Sequence, residues 1–180
     1  KNGGAYVVAL VNDEQSPLAL LADMILPLRA GPETSVAATK TFICTLTAIA
    51  QMVAYWGELE VVKNGLSSLP EMLKQAFDIT WDDAIDALQS TESLFVVSRG
   101  LGLSIAKEAA LKFKETCCVH AEAFSAAEVK HGPMVLVRKG FPAMIFSTGD
   151  ETQPSIDDVA TAFISRSAEV FATGDPYAGG

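Results

Sequence analysis

The chain has 180 residues, 49% of them hydrophobic, and a formal net charge of −9. The excess of acid disfavours nucleic acid, whose partners carry a basic footprint, and the apolar content is too high for a disordered segment. A phosphorylated ligand stays compatible, because backbone amides at a helix start hold an anion locally.

Residues 5–11, Ala-Tyr-Val-Val-Ala-Leu-Val, predict a buried strand of parallel type. Ser16 as N-cap, with Pro17 at the first helical position, predicts a short helix to Asp23. Met24 to Leu28 is a second strand, and strand, helix, strand with short links means α/β. From Arg29 the chain turns into a long helix to about Tyr55, capped by Thr34 or Ser35. Its apolar residues, among them Phe42, Ile43, Leu46, Ile49, Val53 and Trp56, cover much of the circumference. Such a helix is expected to be buried on several sides, in a core or a subunit interface. Gly65, Ser67, Ser68 and Pro70 then mark the best boundary, dividing 1–66 from 67–180. Two helices follow, over about 70–78 and 80–89.

Residues 93–98, Ser-Leu-Phe-Val-Val-Ser, predict a short apolar strand. Arg99, Gly100 and Gly102 make a turn, and an alanine-rich helix runs to about Cys117. Ala106, Ala110, Phe113 and Cys117 form its buried stripe. Glu108, Lys112 and Glu115 fall at i, i+4, i+7 on another face, in the order that favours an ion pair. On spacing alone this face is either solvated charge or a placed cluster. Met134 to Val137 starts a strand, Ala143 to Ser147 is another, a helix covers 154–168, and a further strand begins at Val170.

Cys44, Cys117 and Cys118 fit neither a disulfide framework nor a zinc pattern, so reduced, mostly buried thiols in a cytoplasmic protein are expected. The apolar run at 5–11 is too short for a secretory signal. The run at 41–56 is interrupted by Thr41, Thr45, Thr47 and Gln51, and falls short of a membrane span. His120 and His131 lack ligand-like spacing, so no metal or cofactor is implied. Ser98-Arg99-Gly100, continuing to Ser104, either cups a phosphate on its amides or serves close strand–helix packing. It lacks the third glycine of a dinucleotide fingerprint.

Three motifs in order carry a resemblance: Glu108-Ala-Ala-Leu-Lys-Phe-Lys-Glu115, His120-Ala-Glu-Ala-Phe124, and Glu128-Val-Lys-His-Gly-Pro133. Together they resemble the second sugar-isomerase (SIS) domain in the isomerase half of glucosamine-6-phosphate synthases, and are similar to the stand-alone two-SIS amino-sugar phosphate deaminases and isomerases. The resemblance implies a three-layer α/β/α sandwich on a parallel, flavodoxin-like sheet. It implies parts of two SIS units: the end of a first over 1–66, and an incomplete second over 67–180. The family's phosphate loops would precede residue 1, and its carboxyl-terminal lysine tail would follow Gly180. Gly31 to Lys40 resembles the first-domain element that approaches the sugar, which makes Glu33, Val36 and Ala38 candidates. Plain helix packing explains Val36 and Ala38 equally well. Ala38 stands where the synthases carry serine.

Interconverting an aldose and a ketose phosphate needs a ring opener and a base that moves a proton between C1 and C2. A partly desolvated carboxylate suits the second task, and Glu115 is the candidate. Imidazole suits the first, and His131 is the candidate. The resemblance implies that His131 reaches the site of an adjacent subunit, hence a homodimer with a shared active site. Lys112 would pair with Glu108 and orient Glu115. His120 is expected to be a hydrogen-bonded core histidine. Glu122, Glu128 and Lys130 either hold the His131 loop or lie on the surface. Three readings stay open: a hexosamine 6-phosphate deaminase or isomerase, favoured by Ala38; the isomerase part of a glutamine-dependent synthase; and a sugar-phosphate sensor. None involves nucleic acid or a membrane.

Overall fold

The computed structural model describes residues 2–173. The chain forms two compact units, Lys1–Thr80 and Trp81–Gly180.

In the first unit, β1 (Val8–Val11) and β2 (Met24–Pro27) pair in parallel, Val8 opposite Met24. Helix α1 (Pro17–Leu21) links them. Its start is as expected: Pro17 opens the helix and Ser16 Oγ accepts from the Ala19 amide at 3.3 Å. Ala9, Val11 and Ala19 form a small core, with Ala22 and Ile25 packed against it.

Helix α2 (Lys40–Trp56) starts later than Thr34 or Ser35 would place it, and neither residue caps it. The Glu33 carboxylate does. It accepts from the Thr39 and Thr41 amides at 3.3 and 3.0 Å and from the Thr41 hydroxyl at 2.9 Å. A carboxylate at that end also meets the positive pole of the helix. Ala54 is the one fully buried residue of α2, while Ile43, Leu46, Ile49, Val53 and Trp56 remain exposed. No core of the single chain therefore covers α2 on several sides; the other expected cover, a subunit interface, lies between chains.

Helix α3 (Glu60–Phe77) runs straight through the expected boundary. Ser67 and Ser68 do not break it, because their hydroxyls bond back to the Lys63 and Gly65 carbonyls. Pro70 sits inside it, and no α3 residue is fully buried.

The second unit opens with α4 (Asp82–Leu88). Its parallel sheet has the order β4-β3-β5-β6, built from β3 (Ser93–Ser98), β4 (His120–Ser125), β5 (Pro142–Phe146) and β6 (Glu169–Thr173). Strand β3 is central, with Phe95 opposite both Glu122 and Ala143. Its side chains alternate between two cores. Leu94 and Val96 pack with Ala106 and Ala110 of α5 (Gly102–Cys117). Phe95 and Val97 pack with Ile156, Val159 and Phe163 of α6 (Gln153–Ser165). The unit is thus an α/β/α sandwich, as the apolar strand run and flanking helices predict.

Residues 134–137 do not start a strand. Two 3₁₀ turns, Val129–His131 and Pro133–Leu136, fill the β4–β5 crossover. Val129, Met134 and Val137 anchor them in the α6-side core.

Candidate functional site

Helix α5 carries the charged face that its spacing predicts. Lys112 Nζ lies 2.6 Å from Glu115 Oε2 and 3.3 Å from Glu108 Oε1. The side chains are 23%, 26% and 22% exposed; Glu108 and Lys112 are half-buried residues and Glu115 is an exposed one. The hydrogen bond donated to Glu115 is the largest cause holding the Lys112 ammonium above its usual range, with Glu108 adding to it. On the neighbouring face, Lys112 lines an apolar cavity of about 360 Å³ with Trp81, Phe113, Met144 and Phe146. One cation therefore holds two carboxylates in fixed positions beside apolar surface. A carboxylate held in one orientation in this way is placed to accept a proton from carbon.

The strand order places a switch point at the carboxyl ends of β3 and β5, where the chain leaves first to one side and then to the other. Ser98, Arg99 and Gly100 lie there. Ser98 is fully buried, and its hydroxyl donates to the Phe146 carbonyl at 2.7 Å. Arg99 Nη1 donates to Ser155 Oγ at 2.5 Å. Gly100 has φ +59°, and a side chain at Gly102 would strike Ser98 Oγ and Thr148 Cγ2. Close strand–helix packing thus accounts for Ser98 and Gly102, and Ser155 engages the Arg99 side chain. Opposite this loop, Gln153 Oε1 accepts from Ser147 Oγ and the Gly149 amide, and Asp150 Oδ1 accepts from the Thr152 amide and hydroxyl. Those hydrogen bonds hold the Asp150 carboxyl below its usual range, the Thr152 hydroxyl contributing most.

Glu115 sits about 20 Å from this loop along the axis of α5. The structure therefore does not join Ser98, Arg99 and Gly100 to Glu115 within the unit. Nor does it join Glu115 to His131. Glu115 lies just before β4, and His131 ends the first turn after it, so the length of β4, about 17 Å, separates them.

The His131 side chain is exposed on that turn, and the His131 amide donates to the Glu128 carbonyl at 2.9 Å. Lys130 Nζ reaches Asp158 Oδ2 of α6 at 3.4 Å, tying the turn to that helix. Glu122 and Glu128 are exposed. His120 is exposed at the start of edge strand β4 and is no core histidine, because neither helix covers that end of the edge strand. Cys117 and Cys118 are also exposed, and Cys44 is half-buried, against the expectation of mostly buried thiols. The buried stripe of α5 holds at Ala106, Ala110 and Phe113 and ends before Cys117.

In the first unit, Val36 is 96% exposed and, like half-buried Ala38, precedes α2, so helix packing does not explain either. The segment is held at both ends. Asn12 donates to the Gly31 carbonyl at 2.7 Å and accepts from the Ala30 amide at 2.9 Å, and Lys40 Nζ donates to the Pro32 carbonyl at 2.6 Å. An asparagine just after a strand is a turn signal, but spacing along the chain gives no sign that Asn12 holds the Ala30–Gly31 backbone. Sequence reasoning missed Ser155 and Gln153, whose roles depend on folding. Among the described residues, no helix is long and apolar enough to cross a membrane, and no cluster of three His, Cys, Asp or Glu could hold a metal.

The second unit thus combines a parallel sheet of flavodoxin-like order with an acidic and basic cluster on its first crossover helix. Residues 87–172 match the family model of the SIS domain, and the second unit carries that domain. The chain is 37% identical over 155 residues to the isomerizing glutamine–fructose-6-phosphate aminotransferase of Sulfurisphaera tokodaii, covering 85% of this chain and 26% of that protein. To its counterpart in Aeropyrum pernix it is 37% identical over 179 residues, covering 93% and 29%. Among solved structures, a candidate phosphosugar isomerase from Silicibacter pomeroyi DSS-3 matches with TM-score 0.89 and 43% identity, covering 96% of this chain and 53% of that one. The carboxyl-terminal domain of glucosamine-fructose-6-phosphate aminotransferase from Francisella tularensis matches at 0.77 and 29%, covering 92% and 50%. Glucosamine-6-phosphate deaminase from Thermotoga maritima, at 0.77 and 23%, covering 93% and 52%, shares the fold. The chain spans under a third of the length of these curated relatives and about half of the solved chains.

Proposed function

We propose that the protein acts on a hexosamine 6-phosphate, converting glucosamine 6-phosphate and water to fructose 6-phosphate and ammonia and back, with proton transfer between C1 and C2 as the isomerising step. The observation that carries this reading is the Lys112 ammonium bridging Glu108 and Glu115 on α5. In this reading Glu115 takes the proton from C2 and returns it to C1. Lys112 orients that carboxylate, and Glu108 holds Lys112 from behind. His131 opens the sugar ring, and Glu33 and the Val36–Ala38 segment approach the sugar.

The separation of Glu115 and His131 within one chain supports a homodimer in which His131 serves the partner's site. The first unit is then the end of one SIS domain and the second unit another.

The test mixes full-length protein with glucosamine 6-phosphate, with and without glutamine, and follows ammonia and fructose 6-phosphate. Both products without glutamine are expected, with a loss of about 10²–10⁴ in kcat for Glu115→Gln. An unchanged rate in that variant would overturn Glu115 as the base. The names of the curated relatives favour a second reading, the isomerase part of a glutamine-dependent synthase. Formation of glucosamine 6-phosphate and glutamate from fructose 6-phosphate and glutamine would decide for it. Binding of the sugar phosphate without turnover would make the protein a sensor.

A further inference from the structure

Cys117 and Cys118 are adjacent, free and exposed at the end of α5. Cys118 is held in the left-handed conformation, φ 56° and ψ 26°, and its amide donates to the Phe113 carbonyl. The Val119 amide reaches that same carbonyl at 3.3 Å, so both thiols project from a fixed cap. A disulfide between them is disfavoured: neighbouring Cα atoms lie about 3.8 Å apart across a trans peptide, whereas disulfides want roughly 4.4–6.8 Å. A single soft atom inserted between the sulfurs relieves that constraint, and thiolates prefer soft partners.

A second observation narrows the ligand. Cys117 lines an apolar cavity of about 520 Å³ with Trp81, Ile85, Leu94, Phe113 and Met144. An apolar substituent on the bridging atom would have this cavity beside it. We propose that Cys117 and Cys118 form a vicinal dithiol site for a trivalent arsenical bearing an aryl group. Two S–H and two As–OH bonds break, two As–S bonds form and two waters leave. Arsenic stays trivalent, so no oxidant or reductant is needed. Cys44, half-buried on α2, lies outside the site.

The inference does not depend on the proposed enzymatic reaction, and its test reads mass rather than turnover. The full chain is incubated with phenylarsine oxide in excess glutathione, and intact and tryptic masses are recorded. The expected result is one phenylarsenic group per chain, on the Glu115–Lys130 peptide, removed by a dithiol but not by glutathione. Cys117→Ser and Cys118→Ser should each weaken capture at least tenfold, since the second thiol acts at high effective concentration. Cys44→Ser should leave it unchanged. Inorganic arsenite, which has no ring to bury, should bind at least tenfold more weakly. Capture that survives either Cys117→Ser or Cys118→Ser, or that requires Cys44, would overturn the site. Equal capture of arsenite would overturn the role of the cavity.

Discussion

Lys112 is the residue on which the α5 cluster turns. Its two partners lie at helical spacing on either side, and their carboxylates would repel one another without it. Lys112→Met should lower kcat more than it changes KM, because the orientation of Glu115 matters in the transition state rather than in binding. Lys112→Arg should recover part of the rate. An unchanged kcat in both variants would reduce Lys112 to a surface charge. The raised Lys112 pKa fixes the sign of its pH effect. The stabilisation is fully present below the unfolded lysine pKa and is lost as pH rises through the higher folded value. Glu33 has the opposite sign. Its carboxyl is held down, first by the Thr41 amide, so its stabilisation is present above the usual glutamate range and is lost as pH falls through the folded value. Circular dichroism should therefore show helix loss on acidification that Glu33→Gln makes shallower. Identical acid limbs would remove Glu33 as the cap of α2.

At the scale of elements, two glycines on helices should respond oppositely to alanine. At Gly102 a methyl group meets Ser98 Oγ and Thr148 Cγ2, where α5 crosses the ends of β3 and β5. Gly102→Ala should cost about 1–3 kcal/mol in denaturant unfolding. Gly65 of α3 has open space around it, and Gly65→Ala should stabilise by about 0.4–1 kcal/mol. Matching signs would contradict the packing described. Strand β3 was legible in sequence to the residue and helix α5 nearly so, because an apolar run bounded by polar turns and a 3.6-residue stripe are both local signals. Strand β4 was not read as a strand. His-Ala-Glu-Ala-Phe-Ser has almost no β-branched or aromatic content, and pairing with β3 imposes its conformation. Helix α3 escaped for the opposite reason, since its glycine, serines and proline are tolerated on an exposed helix. The α2 cap escaped because Glu33 reaches it across a loop.

For the whole molecule, the sequence motifs named candidates for the site, but spacing along the chain could not say which of them meet. The fold separates them. The α5 helix carries Glu115 away from the 98–102 loop, and β4 separates it from His131. In the proposed homodimer, two copies related by a two-fold axis would restore the missing pairing, since an isologous interface offers each residue to its partner reciprocally. The decisive measurement is subunit complementation. Full-length Glu115→Gln and His131→Ala proteins, each inactive alone, are mixed one to one, allowed to exchange, and assayed on glucosamine 6-phosphate. If each site draws Glu115 from one chain and His131 from the other, half the dimers are hybrid and each hybrid has one intact site. Activity should then return to about a quarter of the wild-type level, as two-fold symmetry requires. A mixture no more active than its components, with exchange verified by mass, would contradict the shared site.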